Sequence, residues 1–133
     1  MSKYVYPAIF TREGDLYTVS FPDIRNCFTQ GEDLNDAIDM ANDVLCLTLY
    51  HMEKDEQPIP EPTDIRDIRF DPADSFVSLV SCDTLEYRKF YEKRSVKKTL
   101  TIPEWLNTIA EKSNINFSAT LQDALIRKLG LNS

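Results

Sequence analysis

The sequence predicts an α+β protein built in two parts, and three observations carry that reading. Two strand-like runs meet at a glycine turn near the N-terminus. A long amphipathic helix follows, with one further strand after a proline-rich connector. Beyond residue 94 the pattern restarts as strand, helix, helix, and the charge changes sign. Residues 1–93 hold 9 Lys+Arg against 19 Asp+Glu, net −10, whereas residues 94–133 hold 6 against 3, net +3. An acidic body with a basic tail suggests two partners of opposite charge.

The first run, Lys3 to Thr11, is rich in Tyr, Val, Ile and Phe and reads as a strand. Glu13-Gly14-Asp15 is a turn in which Gly14 is free to take positive φ. Leu16 to Phe21 alternates again, so the two runs pair as an antiparallel hairpin. Phe21-Pro22-Asp23-Ile24 breaks the second strand, because proline donates nothing to a ladder. A short third strand, Cys27 to Gln30, ends at Gly31.

Asp33 caps the strongest helix of the chain. Leu34, Ala37, Ile38, Ala41, Val44, Leu45, Leu49 and Met52 recur at three- and four-residue steps as one apolar stripe. Asp36 suits the positive end of the helix dipole, Asp39 and Asp43 fall on the water side, and the helix frays at Lys54 to Gln57. Four of the seven prolines lie in residues 58–72, an extended connector. Phe76 to Cys82 is the last strand. The order β-β-β-α-β makes an antiparallel sheet with one face covered by a helix.

Thr84 to Lys93 reads as a short helix and hinge, so the domains run 1–83, a hinge 84–94, and 95–133. Val96 to Ile102 is a strand stopped by Pro103, which sits at the first position of a helix. Trp105, Leu106, Ile109 and Ala110 form that helix's apolar face, and Ser113-Asn114 ends it. Asn116 caps a second helix with Leu121, Ala124, Leu125 and Leu129 as its stripe. Gly130 then offers a left-handed C-terminal cap. A lone strand with two helices in under forty residues cannot bury a core of its own. A twofold homodimer solves this, with the two strands paired antiparallel and four helices behind them. That architecture is the ribbon-helix-helix.

Alternation assigns the ribbon's faces. Leu100, Ile102 and Val96 point to the helices, and Lys97, Thr99 and Thr101 point outward. In a ribbon-helix-helix dimer the outward face enters the major groove of double-stranded operator DNA. There lysine donates to guanine O6 and N7, and threonine donates, accepts or packs on a thymine methyl. Lys98 falls inward at the ribbon edge, within reach of a phosphate. The free N–H groups of Phe117 and Ser118 open the second helix toward another phosphate. The bland alternative for these residues is a solvated strand face and an ordinary first helical turn.

Tyr17-Thr18-Val19-Ser20-Phe21-Pro22-Asp23-Ile24, Thr29-Gln30-Gly31 and Leu34 to Ala41 together resemble the HicB-type antitoxins. That family shows a YxVxFPD strand end, a TxG turn and an amphipathic helix at this spacing. Ile59-Pro60-Glu61-Pro62 is similar as well, and the likeness covers the chain except for 63–75 and 84–94. The resemblance implies a partial RNase H-like domain over residues 1–83 that binds HicA, a small basic toxin that cleaves mRNA. It implies an antitoxin that represses its own operon as a homodimer, or as a larger assembly of such dimers.

The rest of the composition sets bounds. Apolar residues make up 42% of the 133, enough for a core, and no apolar run nears the roughly 18 residues a membrane span needs. The N-terminal residues lack a signal peptide's apolar stretch, so a soluble cytoplasmic protein is expected. Cys27, Cys46 and Cys82 are odd in number and widely spaced, which argues for buried free thiols. His51 is alone, and no metal or other cofactor is expected. An RNase H nuclease would need several carboxylates converging on two metal ions. The candidates Asp15, Asp23 and Asp83 do not share one place in the pattern, so no enzyme is expected. A third class stays open: a stand-alone ribbon-helix-helix repressor whose N-terminal domain senses a protein or small ligand.

Overall fold

The structure, a computed structural model, describes residues 2–131. It divides into two compact units, one running to Arg94 and the other starting at Ser95. The first unit contains β1 (Lys3–Glu13), β2 (Leu16–Ser20), β3 (Phe28–Gly31), α1 (Leu34–Lys54), β4 (Ser75–Asp83) and α2 (Thr84–Tyr91). The second contains α3 (Glu104–Lys112) and α4 (Phe117–Leu129). A single 3-10 turn, Ile65–Asp67, interrupts the connector before β4.

The four strands form one antiparallel sheet in the order β3-β2-β1-β4. The hairpin is joined through Gly14 at φ +65°, a left-handed conformation that costs glycine little. Two prolines mark where its pairing stops. β2 pairs with β1 from Leu16↔Glu13 to Ser20↔Ile9. Continued two residues further, that register would set Pro22 opposite Pro7. Neither has an N–H to give, and the ladder ends before reaching them. β1 is free on that side from there, yet it pairs with β4 along its whole useful length, from Lys3↔Asp83 to Thr11↔Ser75.

Alternation along β1 sends Tyr6, Ala8 and Phe10 into the core with Val19 of β2 and Val80 and Cys82 of β4. α1 lays Ala37, Ala41, Leu45 and Leu49 onto them, all fully buried. Burying one such leucine is worth about 1.5–3 kcal/mol. The expected stripe is wider than the observed one. Leu34 and Ile38 are exposed, because they flank the contact line rather than lie on it, while Cys46 and Tyr50 are buried instead. Asp33 caps the helix as expected, its side chain accepting from the Asp36 amide at 2.8 Å. The third strand is displaced by one residue from its expected position and includes Gly31.

The segment expected to act as a hinge is largely structured. Asp83 caps α2 by accepting from the Leu85 and Glu86 amides. α2 is then held to α1 by a polar cluster around Glu53. The Glu53 carboxylate accepts from the hydroxyls of Tyr4 and Thr84, both at 2.8 Å, and from the Arg88 guanidinium at 3.4 Å. Burial works against its charge, and the hydrogen bonds, including those from Tyr4 and Thr84, outweigh it, holding the carboxyl below its usual range. Arg88 also lies 4.8 Å over the Tyr50 ring, whose hydroxyl donates to Glu92 at 2.6 Å.

Candidate functional site

In the second unit the two helices form where the spacing places them. Pro103 is the N-cap of α3 rather than its first residue. Its ψ of 143° is extended, and its carbonyl accepts the first helical bond, from Asn107. Asn116 caps α4 through its side chain, which accepts from the Ala119 amide at 3.0 Å. That leaves the Phe117 and Ser118 N–H groups without a protein acceptor among the described residues. Gly130 ends α4 at φ +68°, and Leu131 N–H reaches back to Ile126 C=O, a Schellman closure.

Residues 96–102 depart from the expected strand: among the described residues they carry no strand pairing. A strand exists through the N–H and C=O groups of a neighbour, and none of the described residues pairs with this segment as a strand. Lys97, Lys98, Thr99 and Thr101 are all exposed, but so are the side chains expected to face inward: Val96 at 76%, Leu100 at 62% and Ile102 at 47%. Trp105 is 65% exposed and Ile109 56%, and neither α3 nor α4 has a buried residue. The described residues of this unit have the apolar side chains of a core without the core.

The first unit distributes its acids differently from a nuclease. Asp15 lies in the β1–β2 turn and Asp83 at the far end of β4, opposite Lys3. Ten residues of β1 separate those two levels, about 33 Å at strand spacing. Asp23 accepts from both the backbone N–H and the hydroxyl of Thr63, at 2.9 and 2.5 Å, and so pins the connector against the β2–β3 loop. Among the described residues no three His, Cys, Asp or Glu side chains gather as metal ligands. His51 lines a cleft of about 630 Å³ with Asp23, Arg25, Leu47 and Thr48. Its ring centroid lies 5.4 Å from that of Tyr50.

Two roles escaped the sequence reading. Gly31 was expected simply to end a strand, but a Cβ there would lie 2.3 Å from the Ala37 nitrogen, so the residue lets β3 press against the first turn of α1. Asp23 was expected to close a strand break, and its partner Thr63 lies forty residues on, beyond any local pattern. All three cysteines are buried free thiols, as expected. Burial pushes the Cys27 thiol up, and the contact with Cys46 together with burial does the same for Cys82, so both stay protonated at neutral pH. No described helix is long and apolar enough to cross a membrane.

Comparison with known proteins fits this geometry. Over 95% of its length the chain is similar to 99% of a chain in a toxin–antitoxin complex from Streptococcus pneumoniae, with 31% identity and a TM-score of 0.60. The crystal structure of antitoxin HicB3 shares the fold at 24% identity, with a TM-score of 0.52 over 94% of this chain and 97% of that one. An uncharacterized 14.9 kDa protein from the rep-hol intergenic region of Haemophilus phage HP1 (strain HP1c1) is 27% identical over 104 residues, covering 77% of this chain and 75% of the relative. The family described as HicB-like antitoxin of bacterial toxin-antitoxin system matches residues 6–125. That span takes in all but the first three residues of the sheet, with α1, α2, α3 and most of α4, and the chain therefore belongs to the HicB-like antitoxins of bacterial toxin–antitoxin systems.

Proposed function

We propose that this antitoxin neutralises a basic, HicA-type mRNA-cleaving toxin through its first unit and represses its own operon through its second. The first unit is a partial RNase H-like domain in which the acids serve as caps, clips and surface charge. The excess of acidic residues over residues 1–93 complements a basic partner and speeds encounter. The toxin–antitoxin complex that the chain resembles supports a partner of that kind.

The observation that carries the DNA-binding half is the exposure of every large apolar side chain from Val96 to Trp105. Pairing residues 96–102 with the same segment of a second copy completes a ribbon-helix-helix. It covers Val96, Leu100 and Ile102 and leaves Lys97, Thr99 and Thr101 outward, twice over, to read a short palindrome. Lys98 and the open N–H groups of Phe117 and Ser118 hold the backbone phosphates. The residues have no part in catalysis on this reading, and no cofactor is needed.

A gel shift on DNA from just upstream of the gene tests it, with unrelated DNA as competitor. Wild type should give a specific complex. Thr99→Ala and Thr101→Ala should each cost about 1–3 kcal/mol at the operator. Lys97→Ala should weaken binding and flatten its salt dependence. Operator affinity unchanged in all three variants would remove the proposed reading face.

A further inference from the structure

We propose that the open edge of β4 is where an extended strand of the basic toxin adds to the sheet. The inference rests on the toxin-binding reading above and supplies the surface for it. The register makes the case. Antiparallel ladders alternate hydrogen-bonded and non-bonded pairs. The bonds that continue the β1–β4 ladder at its two ends are Arg12 N–H to Asp74 C=O and Thr84 N–H to Ser2 C=O, both on even-numbered residues. The bonded pairs are therefore Tyr4↔Cys82, Tyr6↔Val80, Ala8↔Ser78 and Phe10↔Phe76. The N–H and C=O groups of Val77, Leu79 and Ser81 then point away from β1. The side-chain amide of Asn42 confirms the direction by donating to Ser81 C=O from that side, at 2.5 Å. Among the described residues the Val77 and Leu79 groups and the Ser81 N–H have no backbone partner.

A nine-residue edge of this composition is unusual for a soluble protein. From Ser75 to Cys82 it has no charge, no proline and no glycine, whereas the opposite edge, β3, has only four residues. Soluble proteins shield such edges with lysines, prolines, bulges or covering segments, and an unshielded one is a template for another strand. Leu79 is 54% exposed, and its diagonal neighbour Val5 on the same face is 47% exposed. They offer an apolar strip for the added strand's alternate side chains.

Charge selects the occupant. Asp71 and Asp74 precede the uncharged stretch and Asp83 follows it, while Glu86, further on, is already paired with Lys89 at 3.0 Å. Antiparallel pairing with a second copy would bring the acidic start of one strand to the acidic end of the other, at both ends of the contact. A strand with an apolar centre and basic flanks meets opposite charge at both ends instead. The edge thus fits the basic toxin and disfavours self-pairing.

Leu79→Pro isolates the edge, because it deletes an N–H the fold does not use, and proline is tolerated on edge strands. Using the full chain and its co-encoded toxin, amide exchange would be measured with and without toxin, and affinity for wild type, Leu79→Pro and Leu79→Lys. Toxin should slow exchange at Val77, Leu79 and Ser81 at least tenfold, and both variants should bind about a hundredfold more weakly. Toxin binding with those amides still exchanging freely, or with both variants at wild-type affinity, would overturn the edge assignment and leave the partner intact. Protection of the same amides in the free protein, growing with its concentration, would give the edge to a second copy and also overturn it. No toxin binding by wild type would instead sink the partner reading itself. If Leu79→Pro does not fold, Leu79→Lys and the wild-type exchange data decide the question unaided.

Discussion

Gly31→Ala should be the most damaging methyl group that can be added to the first unit. The Cβ it introduces would lie 2.3 Å from the Ala37 nitrogen, 2.5 Å from its Cα and 2.8 Å from the Asp36 carbonyl carbon. Ordinary contact begins near 3.4 Å, so β3 and the start of α1 must part by about 1 Å. Neither side can yield locally. All three atoms are backbone, and the Ala37 amide also donates the first helical bond, to Asp33 C=O at 2.9 Å. Ala37 itself is fully buried, so moving it opens the core beneath. Overpacking costs about 1–3 kcal/mol where side chains can adjust, and rigid backbone on both sides puts this case near 3.

For a unit of this size, each kcal/mol moves the melting midpoint by about 4–8 °C, which predicts a fall of about 12–24 °C. Tyrosine fluorescence would follow the first unit, since all six tyrosines precede residue 95. The single tryptophan, Trp105, reports on the second and should keep its own transition. Gly14→Ala separates sterics from backbone strain: it too has positive φ, but its Cβ would meet nothing within 4 Å. It should cost only about 1–2 kcal/mol for the left-handed conformation. A Gly31→Ala midpoint within about 5 °C of wild type would show that the strand and helix do not approach as described.

Two further outcomes follow from the same structure. Glu53→Gln should destabilise the first unit by about 2–3 kcal/mol, because it uncouples a charge whose side chain is only 8% exposed from two hydroxyls and Arg88. The folded pKa of Glu53 is depressed, so its contribution is present above the ordinary carboxylate range and lost as pH falls through the folded value; denaturation midpoints measured from pH 7 to pH 3 should drop less steeply in the variant than in wild type. Leu100→Glu places a charge at the centre of the proposed ribbon, and analytical ultracentrifugation should find wild type dimeric and the variant monomeric, with Trp105 emission shifted to the red. A dimeric variant would exclude residues 96–102 as the pairing segment.

What could be read from the sequence was whatever depends on neighbours in the chain. Strand alternation, the Asp33 and Asn116 caps, and the stop at Gly130 all follow from local chemistry and stand where residue types put them. The FPDI stretch illustrates the boundary. That Pro22 ends a strand was legible, and so was the apolar character of Phe21 and Ile24, both buried. That the β1–β2 ladder stops short of a pairing of Pro22 with Pro7, and that Asp23 clips Thr63, depends on register and on a connector forty residues away. Gly31 shows the same limit: a glycine before a helix reads as a turn, and only packing reveals that the space above it is filled. The two C-terminal helices were legible from their spacing and caps, whereas the strand expected before them carries no pairing among the described residues, because a strand needs a neighbour that residue types alone do not supply. The β4 edge was not legible either, since which N–H groups face outward is decided by pairing and not by residue type.

The contrast between the two units has a consequence for how the proposed functions respond to concentration. The first unit closes its own core around Tyr6, Phe10, Leu45 and Leu49, so its folding is intramolecular and independent of dilution. The second keeps no buried residue in either helix, so on the dimer reading its folding free energy is association free energy and varies with the logarithm of protein concentration. As the antitoxin is diluted or degraded, the half proposed to bind the operator therefore loses structure first, while the half proposed to hold the toxin stays folded. On the proposed functions, repression then lapses before neutralisation does, and fresh antitoxin is made while the remaining chains still bind toxin. The order follows from where the apolar side chains are buried, and no additional sensor is required to produce it.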